Sequence, residues 1–353
     1  MGHKHDAACG CAGLSRRLIL GGLVGAAALP LMTAWADDPH DPAPRRVDVH
    51  HHFFPPAYLD KIAEVVGNKP SLLMTEWSVA GVLDHMDKTG VATAILSMSP
   101  WGPHFKDAAQ ARALARACND FAAQTSRDHF GRFGLFAAMP LPDVDGALAE
   151  IAYALDTLKA DGVGLMTSYG DKWLGDPVFA PVFEELNRRK AVVYFHPNTP
   201  QCCGGLVPGS SPAMLEWPYD TGRTVLSLLL SGSLVKYPDI KWIFSHAGGP
   251  VPALAGRIVN MTRARPDLAQ IAPQGVMHEL TRLYYDTANA YFAPTMAALL
   301  KFVPASQVVF GSDYPYFTLE QNVDGLADIP LTQAERQAID RGNAARLMPR
   351  FAG

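Results

Sequence analysis

A single (β/α)8 barrel of the TIM type is the fold class that this sequence predicts, and three observations carry the prediction. Eight short β-rich runs alternate with helical patterns between residues 46 and 312. Many of the runs are continuously apolar, as strands buried on both faces are. Histidine and aspartate collect where the runs end, which is where a barrel displays its reactive groups. A doubly wound open sheet is the structural alternative, but no glycine-rich phosphate loop follows the first run.

The barrel begins only after an N-terminal segment of another character. Met1 to Ser15 is polar, Arg16-Arg17 leads into an apolar run through Met32, and Ala34-Trp35-Ala36 is a small-x-small cleavage pattern. Paired arginines before a glycine-rich apolar run resemble a twin-arginine export signal over residues 1–36. The run is shorter than the ~20 residues needed to span a bilayer, which disfavours an uncleaved anchor. The twin-arginine machinery is therefore an expected partner and the periplasm the expected location. Residues 37–45 form a Pro/Asp linker, and 46–353 one domain.

Charge and cysteine usage exclude several classes. The 30 basic and 34 acidic residues give −4, and removing Lys4, Arg16, Arg17 and Asp6 with the signal gives −6. That mild acidity, with no basic run, argues against nucleic acid or an anionic membrane as partner. Cys9 and Cys11 fall in the signal, leaving Cys118 and the adjacent pair Cys202-Cys203. An odd number with one adjacent pair is not a disulfide framework, and the pair reads as two loop thiols, with a redox pair or soft-metal site as alternatives.

The expected strands span 46–52, 91–98, 133–139, 162–167, 192–196, 240–246, 283–287 and 308–312. Helical patterns fall over 108–130, over 143–160 with Leu148, Ile151, Leu155 and Leu158 as a core stripe, and over 221–235.

The first strand carries Asp48-Val49-His50-His51-His52. Alternate residues of a strand share a face, so His50 and His52 point to one side and His51 to the other. Two converging imidazoles are half of a metal site. Other strands supply the rest: the fifth ends in His196, the sixth in His246 and the eighth in Ser312-Asp313-Tyr314. His50, His52, His196 and Asp313 as ligands would leave a divalent ion with residual positive charge and room for water or substrate. Zinc is the favoured ion and manganese the alternative. His246 then suits general acid/base work, the alternative being a fourth imidazole ligand. Asp48 fits an orienting or turn-fixing acceptor. The fourth strand ends Met166-Thr167-Ser168, without a lysine that could be carboxylated to bridge two ions, so one metal is expected.

These motifs resemble the amidohydrolase-related family that includes aminocarboxymuconate-semialdehyde, 6-methylsalicylate and γ-resorcylate decarboxylases. The resemblance rests on Asp48-x-His50-x-His52-x-x-Pro55, His196-Pro197, His246-Ala247-Gly248-Gly249, Gly311-Ser312-Asp313-Tyr314-Pro315 and Gly342-Asn343-Ala344-Ala345-Arg346-Leu347. It implies metal ligation by His50, His52, His196 and Asp313, with His246 activating water or handling a proton. It further implies that Arg257 contacts a substrate carboxylate across a homodimer interface. The second substrate-binding arginine of the aminocarboxymuconate enzyme has no match in Val79 to His85, while Leu215 to Thr221 is closer to the 6-methylsalicylate branch. Trp101, Trp217 and Tyr314 sit on expected mouth loops and are suited to stacking on an unsaturated acid. The expected function is metal-dependent decarboxylation of an aromatic or conjugated unsaturated carboxylic acid. The rivals are a lactonase or amidase with the same site and a non-catalytic exported metal-binding protein.

Overall fold

The computed structural model describes residues 45–66, 70–105 and 107–352; the signal at 1–36 and the linker up to residue 44 lie outside the described residues. Eight parallel strands form the barrel: β1 (Arg46–His52), β2 (Val91–Ser97), β3 (Phe133–Ala138), β4 (Gly162–Met166), β5 (Val192–His196), β6 (Lys241–Phe244), β7 (Tyr284–Asp286) and β8 (Val308–Val309). Each pairs with its neighbour in sequence, as right-handed strand–helix–strand crossovers produce. The ring closes just beyond β8, where Val49 N donates to Phe310 O (3.0 Å), Asp313 N to His50 O (2.8 Å) and His52 N to Tyr314 O (2.8 Å).

All eight expected strands are present; β2, β3 and β4 end one residue early, and the last three lose two or three residues each. His246 and Ala247 take φ of 53° and 56°, and Asp313 takes 63°, so the chain is out of extended conformation where these reactive residues stand. The sharp turn after β6 needs glycine: Gly249 has φ of 58°, and a Cβ there would run into the backbone of Pro218.

Helices cover the outside of the ring. Ala108–Asp128 is capped by Asp107, whose side chain accepts from Gln110 N, and buries Ala111, Leu114, Ala115, Cys118 and Ala122. Val144–Ala152 continues as a wider turn over Tyr153–Leu158, together matching the expected 143–160. The third helix is Glu216–Leu230, starting five residues before the expected 221. Proline in a first turn loses no helical hydrogen bond, so Pro218 is part of the helix rather than of a loop.

Two apolar layers follow. Val47, Val49, Ile95, Phe136, Tyr194, Ile243 and Val309 pack together inside the ring, while a larger cluster joins strands to helices. At the N-terminal end of β1, the Arg46 guanidinium donates to Asp340 Oδ1 (3.2 Å), tying the strand to the closing helical segment. The reactive residues gather at the opposite end. Among the described residues, no helix is long and apolar enough to cross a membrane.

Candidate metal centre

The site begins with an irregularity in β1. Three residue steps from Asp48 to His51 run beside two from Ala94 to Leu96 in β2, so β1 carries one extra residue. The bulge lets Asp48 and His51, which strict alternation would place on opposite faces, meet at 3.0 Å between Oδ2 and Nδ1. His50 and His52 face the other way with ring centroids 5.1 Å apart.

Asp48 is a seam residue. Its Oδ1 accepts from His50 N and Ser312 N (3.0 Å each), and its Oδ2 accepts from Ser312 Oγ (2.6 Å) as well as from His51. It thereby fixes β1 against the segment that carries Asp313. The backbone then delivers Asp313 Oδ1 to 3.0 Å from His52 Nε2, 3.2 Å from His50 Nε2 and 4.0 Å from His196 Nε2, while Oδ2 lies 3.9 Å from His246 Nε2. Ligand atoms of His50, His196, His246 and Asp313 all lie within 4.8 Å of one another.

The four imidazoles share one orientation. Nδ1 of His50 lies 2.9 Å from Asp286 Oδ2, that of His52 3.2 Å from Ser97 O, that of His196 2.8 Å from Pro197 O and that of His246 2.9 Å from Ala288 O. Each of these acceptors takes an Nδ1–H, which leaves the Nε2 lone pair directed at the centre. Nε2 of His50 and of His196 are buried without a hydrogen-bond partner. Two such atoms cost about 1–3 kcal/mol each if nothing meets them, and a divalent cation beside one carboxylate is what this donor set fits.

Electrostatics agree with that reading. Burial holds His52 below the usual imidazole range and His196 well below it, so both keep a lone pair to offer. For His50, burial works in the same direction, but the carboxylates of Asp286 and Asp313 outweigh it and raise its pKa to about 10. Burial opposes ionisation of Asp313, yet the surrounding histidines, His50 foremost, bring it well below the carboxylate range. The pocket thus favours positive charge at its centre.

Asp286, at the end of β7, is the residue the sequence reading did not single out. Besides holding His50, it accepts from Tyr194 OH (3.1 Å) at Oδ2, and from His246 N (2.8 Å) and Ala288 N (3.0 Å) at Oδ1. The available signal was position, an aspartate one residue before the end of the expected strand 283–287, much as His196 closes 192–196. At the end of β4, the hydroxyls of Thr167 and Ser168 donate to buried Asp220 (2.5 and 2.8 Å), so this position is committed to its own hydrogen bonds.

The remaining expected residues are spread more widely. Trp217 lies beside the centre, its ring 5.9 Å from that of His196 and its Nε1 donating to Thr199 Oγ1 (2.8 Å). Trp101 is 47% exposed on the loop after β2, with its ring 6.4 Å from Phe105. Tyr314 stacks on His51 at 4.7 Å, on the seam side of β1; the aromatic ring that approaches His52 is Tyr316, at 5.6 Å. Arg257 is exposed on the helix Val251–Arg263. Cys202 and Cys203, expected as two loop thiols, are instead disulfide-bonded to each other in a turn where Cys203 N donates to Pro200 O (3.0 Å). Adjacent thiols in one turn are already within reach of each other, so the bonded pair, the redox alternative above, replaces the two loop thiols. Cys118 remains a thiol, and burial pushes it up to about 12.

Comparison with known proteins places the chain. It is 35% identical over 315 residues to the 6-methylsalicylic acid decarboxylase of Penicillium expansum, covering 87% of this chain and 97% of that protein. A crystal structure described as amidohydrolase II superposes with a TM-score of 0.78 at 28% identity, covering 86% of this chain and 99% of the other. The dihydroxybenzoic acid decarboxylase of Polaromonas, solved with manganese and the inhibitor 2-nitroresorcinol, superposes with a TM-score of 0.76 at 21% identity, covering 86% and 96%. Residues 47–350 match the amidohydrolase family as a whole, and the chain belongs to that family.

Proposed function

We propose that this protein is a metal-dependent carboxy-lyase that removes CO2 from an aromatic carboxylic acid, in the manner its relative's name, 6-methylsalicylic acid decarboxylase, describes. One observation carries the reading: four imidazoles tied back at Nδ1 present Nε2 towards Asp313 at the mouth of the barrel. His50, His52, His196 and Asp313 would hold the ion, zinc being our assignment and manganese the ion in the Polaromonas structure. When bound, such an ion supplies Lewis acidity towards a carboxylate and lowers the pKa of a bound water towards ~7.

The chain's own residues do the rest. In the reaction the bond between ring carbon and carboxyl carbon breaks, its electron pair stays on the ring carbon, and a proton must arrive there as CO2 leaves. His246 is placed to deliver it from Nε2 after taking up a proton there from solvent: its backbone is fixed by Asp286, its Nδ1 by Ala288 O, and its Nε2 faces Asp313. The side chains of Trp217 and Tyr316 border the centre and restrict water around it. Release of CO2 from 6-methylsalicylate by the metal-loaded enzyme is the expected result. Hydrolysis of a lactone or ester panel without CO2 would replace this reading with the acyl-hydrolase one, and tight metal uptake with no turnover would replace it with a binding protein.

Export through the twin-arginine route to the periplasm is part of the same proposal, supported by Arg16-Arg17 and Ala34-Trp35-Ala36. Replacing both arginines with lysine should leave the protein in the cytoplasm, and unchanged export would refute the route. Arg257 is proposed to reach the substrate of the partner subunit in a homodimer; a monomer with full activity in solution would exclude that role.

A further inference from the structure

Of the four imidazoles at the centre, His50 and His196 are the two whose Nε2 is buried without a partner. His50 is backed directly by a carboxylate, with Asp286 Oδ2 2.9 Å from its Nδ1. His196 meets only a carbonyl there, that of Pro197 (2.8 Å). The chain of hydrogen bonds continues beyond that carbonyl. Pro197 O and Asn198 N belong to one planar peptide group, and Asn198 N donates to Thr167 Oγ1 (3.0 Å). Having accepted there, the Thr167 hydroxyl donates its own proton to Asp220 Oδ2 (2.5 Å). Asp220 is fully buried and ends the chain, since Ser168 Oγ donates to the same oxygen (2.8 Å) and Trp173 Nε1 to Oδ1 (2.6 Å). Burial pushes the Asp220 carboxyl above its ordinary value, and these donors, with Arg223 Nη1 3.9 Å from Oδ1, oppose the rise.

Thr167 is itself held on every side. Its N–H donates to His196 O (2.9 Å), and its carbonyl accepts from Thr224 Oγ1 (2.6 Å), so it grips the segment from His196 to Asn198 at both ends. We infer that Asp220 is a positioning residue for the metal ligand His196, acting through Thr167 and the Pro197–Asn198 peptide to keep Nδ1 protonated and Nε2 turned to the ion. The inference rests on the reading of His196 as a metal ligand and gives that imidazole the carboxylate that His50 has directly. The peptide that receives His246 Nδ1–H ends differently, because Asn289 N donates to the neutral amide of Asn322 (3.2 Å). A carboxylate behind an imidazole strengthens Nε2 as a ligand, and aligned hydrogen bonds polarise one another by roughly 10–30% each. The carboxylate-backed rings are thus the ones suited to hold the ion, and the amide-backed ring is left to move a proton.

The test measures metal affinity. Zn2+-loaded wild type and variants are challenged with a graded chelator, and the Zn2+ retained is read. Thr167→Val keeps the side chain's size but cuts the relay, and it should weaken Zn2+ binding about tenfold, the lower edge of what an outer partner costs. Asp220→Asn removes the terminal charge and should match it, which keeps the test open if Thr167→Val does not fold. Thr167→Ser retains the hydroxyl and should retain the affinity. Ser168→Ala takes a hydrogen bond from the same Asp220 oxygen but lies outside the chain, so its affinity should equal that of wild type. Equal weakening in Ser168→Ala and Asp220→Asn, or wild-type affinity in both Thr167→Val and Asp220→Asn while His196→Ala loses the ion, would overturn the relay alone. Full Zn2+ retention in His196→Ala would remove His196 as a ligand, and with it the reading of the centre on which the relay depends.

Discussion

The two faces of β1 hold chemically similar groups and put them to different use. On the centre-facing side, His50 and His52 keep Nε2 aimed at Asp313, and His50 Nε2 has no hydrogen-bond partner at all. On the seam side, His51 is hydrogen-bonded to Asp48 and stacked on Tyr314, and Asp48 accepts from both sides of the closure between β1 and the segment after β8. All of these groups but the half-buried Tyr314 are buried. What separates the faces is convergence: an Nε2 atom is buried without a partner on each side, at His50 and at His51, but of the two only that of His50 joins ligand atoms of His196, His246 and Asp313, all within 4.8 Å of one another. A converging set of this donor type needs a ligand, whereas a lone imidazole nitrogen makes no site.

Substitutions can break that contrast at graded strength. The largest effect is expected at the centre. His196→Ala should strip the metal and lower activity by more than the roughly 10–100-fold that loss of an outer partner costs. Asp286→Asn tests such an outer partner: it should keep the fold and lower metal affinity or activity within that 10–100-fold range, because Asp286 orients both the His50 ring and the His246 backbone. Metal titration followed by turnover at saturating metal separates the two contributions. His246→Ala should retain metal and lose activity; loss of the metal as well would make His246 a ligand instead of the proton donor.

Asp48→Ala lies on the other side of the contrast. It leaves His50 N and Ser312 N without their acceptor, so stability should fall by about 3 kcal/mol, read as a lowered midpoint of chemical unfolding. Unchanged stability would mean that the seam is closed by backbone bonds alone.

How far these features were legible depended on whether their cause was local. The strands and the histidines that end them follow from apolar runs and side-chain type, both readable along the chain. The bulge in β1 is not readable, because it exists only relative to β2, and it is what brings Asp48 to His51 across three positions. Asp286 escaped notice because a strand-ending aspartate acquires its meaning only when Tyr194, His50 and His246 converge on it from three other strands. Tyr314 and Tyr316 show the same limit in miniature. Two residues apart on one loop, one covers the seam and the other borders the centre, and the turn that divides them is closed by Tyr316 N donating to Asp313 O (2.9 Å).

The most direct test is the metal content of two variants that differ by one position in β1. Purified His51→Ala should carry about one divalent ion per chain, as wild type does, with much of the activity kept. His50→Ala should carry essentially none and be inactive. Full metal occupancy in His50→Ala, or equal loss in both variants, would contradict the division of β1 into a centre face and a seam face.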